Sequence, residues 1–113
     1  MRSSVDRSLA GLADPTRRGV IDLLRKKPRR ASEIADTLSM TRPAMSRHLR
    51  VLRRAGLVSD EGIEDDARAR VYRLERARFE ELRRWLDEVE AFWGKQLGSF
   101  QLHAERAASK RRA

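Results

Sequence analysis

The stretch TRPAMSRHLRVLRRAGL, Thr41–Leu57, sets the terms for the rest of the chain. It carries Arg42, Arg47, Arg50, Arg53 and Arg54 and no acidic residue. Wound into a helix at about 100° per residue, it gathers Met45, Leu49 and Leu52 on one stripe and Arg47, Arg50 and Arg54 on the opposite one. Thr41 suits the N-cap, and Pro43 falls in the first turn, where its missing N–H breaks no helical bond. Gly56 suits the left-handed residue that ends a helix, after which Leu57 folds back on Leu52. A charged run is most often a solvated face. Here the aligned arginines have no interleaved Glu to pair with them, which favours a groove of nucleic acid over bare solvent.

The remainder must hold that helix with few resources. A chain of 113 residues makes one domain, expected over residues 1–104, with 105–113 a basic, disordered tail. Its core is modest, so stability is expected to draw on a partner chain. The formal net charge of +9 points to a polyanion, with nucleic acid ahead of membrane. No apolar run approaches the roughly 20 residues of a membrane span, and no signal-peptide core follows Met1, so a cytoplasmic location is expected. With no cysteine there is no disulfide and no thiolate metal site. No Gly-rich phosphate loop and no His–carboxylate–Ser spacing argues for an enzyme.

In order along the chain, Val5, Leu9 and Leu12 recur at helical spacing. Asp14-Pro15 is a stop and restart: Asp14 caps a second helix running to about Lys26, with Val20, Ile21 and Leu24 inward and Pro28 ending it. Arg17 and Arg18 read as solvated surface. Ser32 is expected to cap a third helix of two turns, with Ile34, Ala35 and Leu38 on one face. Ser39-Met40 then turn the chain into the Thr41 cap. Two short helices across a tight turn, the second one basic, form a helix-turn-helix. Residues 57–62 and 69–74 read as a β-hairpin wing around the acidic stretch Asp60, Glu61, Glu64, Asp65 and Asp66. The last helix, about 76–104, carries Phe79, Leu82, Leu86, Val89, Trp93, Leu97 and Phe100 at steps of three and four. Trp85 and Phe92 widen that stripe, and Gly94 and Gly98 allow close approach of another backbone. So much aromatic surface on one helix calls for a second copy of the chain. The expected class is mainly α (α+β): a winged helix-turn-helix of about five helices and a two-stranded hairpin, as a homodimer.

The segments LADPTRRGVIDLL, SEIADTLSMTRPAMSRHLRVLRRAGLV, RVYRL and WLDEVEAFW together resemble the ArsR-type (arsenic-repressor-like) family of bacterial winged helix-turn-helix regulators, over about residues 5 to 102. The resemblance implies a homodimer, joined through its first and last helices, that represses transcription from a palindromic operator. Metal-sensing members use thiolates before the recognition helix, which this composition excludes, or His and carboxylates on the last helix. Glu90 and His103 match two of those last-helix ligands, but Phe92 and Arg106 stand where the others belong, and neither ligates zinc. No metal or cofactor is expected, and the resemblance is to the cysteine-free branch, with room for an unidentified small-molecule effector.

On double-stranded DNA, Ser46, Arg47 and Arg50 are placed to read base edges. Thr41, Arg42, Arg53 and Arg54 are placed to touch phosphates. His48, at the edge of the apolar stripe, reads as a half-buried packing or phosphate-contacting residue. Family wings usually carry basic residues near the tip; carboxylates stand here instead, so the tip is expected off the DNA backbone, Asp65 and Asp66 forming a solvated loop. Arg68 and Arg70, on the second strand, are placed to reach a phosphate or narrow groove. The dimer interface is expected at Val5, Leu9, Phe79, Leu82, Leu86, Val89, Trp93, Leu97 and Phe100. The competing class is a non-specific architectural nucleic-acid-binding protein, which the net charge alone fits equally well.

Overall fold

The computed structural model describes residues 3–62 and 70–93. The chain divides into two compact units, Met1–Glu81 and Leu82–Ala113. Within the first, α1 (Ser4–Gly11) and α2 (Pro15–Leu24) lead into a short strand β1 (Arg29–Arg30). Then come α3 (Ala31–Thr37), α4 (Arg42–Arg54), β2 (Val58–Glu61) and β3 (Val71–Leu74). A fifth helix, α5, starts at 76 and is described to 93. The expected wing tip with Asp65, Asp66 and Arg68, the remainder of the last helix with Leu97, Phe100 and His103, and the tail lie outside the described residues.

Local chemistry explains most boundaries. Ser3 and Asp6 form a reciprocal capping box at the start of α1, with bonds of 3.1 and 3.3 Å. Asp14 caps α2 by accepting from Arg17 N at 3.0 Å, with Pro15 next to it. Arg18 is exposed, as the solvated reading expects, whereas Arg17 is half-buried, and both make backbone contacts. Arg17 donates to the carbonyls of Gly11 (2.7 Å) and Ala10 (3.2 Å), and Arg18 to that of Leu12 (2.8 Å). They satisfy the open carbonyls of Gly11 and Leu12 at the end of α1, where the helix dipole favours positive charge; Ala10 O also accepts from Ala13 N.

Ser32 is not the cap of α3: Arg30 takes that position, with no side-chain bond. The reason lies in the sheet. Arg29 and Arg30 pair with Tyr72 and Val71, and Ala31 N donates to Arg70 O at 3.1 Å, so the strand's pairing holds the entry to the helix. A third strand thereby joins the expected hairpin, giving the antiparallel order β1-β3-β2. The hairpin strands are shorter than their expected ranges, with Val58 opposite Leu74 and Asp60 opposite Tyr72.

The core of this unit is built from Val20, Leu24, Ile34, Ala35, Met45, Leu49, Leu52, Ala55, Leu57 and Val58. Phe79, at the start of α5, packs half-buried against it. On α1 the residues turned inward are small, Ser8 and Gly11. A Cβ at Gly11 would stand 2.9 Å from Leu57 Cδ1, so glycine permits this close approach.

Candidate nucleic-acid interface

The helix-turn-helix is closed at both ends of its turn by backbone geometry. After α3, Ser39 adopts a left-handed φ of 54°. Met40 N then donates to Ala35 O at 2.9 Å and Ser39 N to Asp36 O at 3.2 Å. That is the paired-bond ending usually built on glycine. Thr41 follows and accepts from Ala44 N at 3.3 Å, starting α4. At the far end Gly56 has φ 81°, with Gly56 N donating to Arg53 O at 3.0 Å and Leu57 N to Leu52 O at 3.1 Å. The Thr41 cap, the left-handed Gly56 and the return of Leu57 to Leu52 therefore all stand as the residue types imply.

Burial divides α4 lengthwise. Met45, Leu49 and Leu52 are buried, while Thr41, Arg42, Ser46, Arg47, Arg50, Arg53 and Arg54 are exposed. A cavity of about 460 Å³ opens between the start of α3, the first half of α4 and β3. Arg42, Ser46 and Arg70 line it together with Ser32 and Tyr72, above an apolar floor of Met45 and Leu49. His48 is half-buried, its Nδ1 3.9 Å from Asp14 Oδ2. The carboxyl of Asp14 is held below its ordinary range, first by the bond from Arg17 N against the opposing effect of burial, then by His48 and the Arg17 charge.

Arg53 and Arg70 are not loose cations. Both meet Asp60, Arg53 Nη1 at 3.5 Å and Arg70 Nη1 in a close hydrogen bond. The Asp60 side chain is 8% exposed. Burial alone would raise its carboxyl, yet the bond from Arg70 and the two guanidinium charges outweigh it and hold the group ionised below the ordinary range. Tyr72, across the strand pair, is pushed up by burial and by the Asp60 charge. Asp60 is the participant that sequence reasoning missed. It reads as one acid of a polar run, because the strand register that turns it toward α4 is not written in local spacing.

Of the expected interface residues, Val5 is half-buried and Leu9 exposed on α1. In the second unit Leu82 is buried, whereas Leu86, Val89, Phe92 and Trp93 are exposed, the last two at 68% and 57%. Among the described residues there is no cluster of three or more His, Cys, Asp or Glu that would hold a metal. No helix among them is long and apolar enough to cross a membrane.

Residues 14–60 match the family described as bacterial regulatory protein, arsR family. The chain is 38% identical over 97 residues to the HTH-type transcriptional regulator Rv2034 of Mycobacterium tuberculosis, covering 86% of this chain and 85% of that protein. It is 39% identical over 49 residues to the transcriptional repressor SdpR of Bacillus subtilis, covering 43% of this chain and 54% of the repressor. Among solved structures, an ArsR-like transcriptional regulator from Rhodococcus sp. RHA1 superposes with TM-score 0.70 at 27% identity, covering 88% of this chain and 91% of that one. The homodimeric winged helix-turn-helix DNA-binding domain of Mb0332 from Mycobacterium bovis, a possible ArsR-family regulator, gives 0.59 at 26% identity, over 83% and 82%.

Proposed function

This chain belongs to the ArsR family of bacterial regulatory proteins and is a DNA-binding transcriptional regulator, and we propose that it works as a dimeric repressor reading an inverted-repeat operator through α4. One observation carries the proposal: a doubly capped helix whose apolar side is buried and whose opposite side offers Ser46, Arg47 and Arg50 to solvent. Arg suits a bidentate contact to guanine, and a helix of this width fits the major groove. Arg42 and Arg54 take phosphates beside it, with Thr41 setting the helix start against the backbone. The exposed apolar residues of α5 supply a surface for a second copy, and Leu9 of α1 is separately exposed. Two of these similarities support the finer reading: SdpR is named a repressor, and the Mycobacterium bovis domain is described as homodimeric. Repression follows from occupying DNA that polymerase needs.

The test begins with rounds of selection from a random duplex library. The wild-type chain should enrich an inverted repeat, and Arg50→Ala should lose about 1–3 kcal/mol on that duplex while relaxing preference at one base position. Equal loss on enriched and random DNA would assign Arg50 to phosphate. Failure to enrich any sequence would favour a non-specific architectural binder instead.

A further inference from the structure

Side chains from α4, from β2 and from the residue preceding β3 meet at one enclosed carboxylate. Arg53 comes from the last turn of α4, Asp60 from β2, and Arg70 from the residue just before β3. The Asp60 side chain is 8% exposed, while those of Arg53 and Arg70 are 48% and 40% exposed. Both guanidiniums are therefore tethered at one end and open to solvent over the remainder. A guanidinium has five N–H donors, so one bond to Asp60 leaves donors for a phosphate. An ion pair between two mobile surface chains does little. This carboxylate is held on a paired strand with Tyr72 opposite, so it fixes where the arginines sit.

We propose that Asp60 is a positioning residue for sequence-specific DNA binding: it clamps the wing to the last turn of α4 and aims Arg53 and Arg70, trading total charge for fixed geometry. This rests on the DNA-reading role of α4 argued above. The physical basis is a division between two kinds of attraction. Non-specific binding grows with the number of positive charges free to displace counterions, and a carboxylate between two arginines reduces it. Specific binding gains when contacting groups are already ordered, because less freedom is lost on association. Asp60 acts in opposite directions on the two.

The experiment compares affinity for the duplex enriched by the wild-type chain with affinity for the unselected library, across a salt series. Asp60→Asn keeps the shape and removes the charge. It should bind the library more tightly with a steeper salt dependence, and the enriched duplex more weakly, lowering the ratio of the two by about tenfold or more. Both affinities rising by the same factor would make Asp60 a damper of charge, and both unchanged would make it a bystander; either result overturns the proposal. Asp60→Glu retains the charge but displaces the carboxylate by one methylene, and it serves if Asp60→Asn fails to melt cooperatively. It should leave library binding unchanged and weaken the enriched duplex, whereas an unchanged ratio would overturn the proposal. A wild-type chain that enriches no sequence would overturn the DNA reading itself, whereas an enriched motif with an unaltered ratio in the variants would sink the role of Asp60 alone.

Discussion

Asp14 and Asp60 each join different elements of the chain, and both do so as carboxylates. Asp14 caps α2 and faces His48 on α4; Asp60 faces Arg53 and Arg70. Each carboxyl is held below the ordinary value of 3.8, so the unfolded chain takes up protons at a higher pH than the folded one. Their contribution to stability is therefore complete above the unfolded-state value and is lost as pH falls through the folded-state value. Melting temperature should hold steady down to about pH 5 and drop through about pH 4 and below, with a shallower drop in an Asp14→Asn, Asp60→Asn double variant. An identical acid slope in that variant would contradict the assignment. At this scale the sequence was half legible. Asp14-Pro15 announces a cap through local spacing, but nothing local tells that Arg17 and Arg18 turn back to the carbonyls of α1. Asp60 is harder still, since its partners depend on strand register.

Among the elements, α4 was the most legible because everything that defines it is local: an N-cap, a stripe of apolar side chains and a glycine stop. Its ending also yields a test. Gly56 combines φ 81° with Arg78 lying across the place where a Cβ would go. Gly56→Ala should cost about 1–3 kcal/mol, from left-handed backbone strain plus displacement of the guanidinium. A urea titration should show a lower midpoint at unchanged slope, and an unaltered midpoint would mean that the helix end tolerates a side chain. Strand β1 was illegible for the opposite reason. Two arginines, Arg29 and Arg30, have no strand pattern of their own; they become a strand because Tyr72 and Val71, some forty residues later, offer backbone partners. The same pairing displaced the expected Ser32 cap to Arg30. Short elements fixed by tertiary pairing escape a reading based on periodicity.

For the whole molecule, charge and exposed apolar surface point to two partners at once. A net charge of +9 suits DNA, and Trp85, Leu86, Val89, Phe92 and Trp93 on α5 are exposed in the single chain. The composition and the stripe on the last helix give rise to both expectations in the sequence, whereas the way in which two chains would meet depends on a surface that no single chain completes. The proposed assembly presents α4 twice, at a spacing of about one turn of duplex, roughly 34 Å. Inserting about five base pairs between the half-sites of the enriched duplex rotates one half-site to the opposite side of the DNA. Titration of the chain onto the original and the lengthened duplex, with stoichiometry read by sedimentation, tests this directly. Two chains should bind the original, and affinity should fall by about a hundredfold or more on the lengthened one, since one half-site then goes unread. Equal affinity for the two duplexes, or a single chain saturating the original, would contradict the proposed assembly.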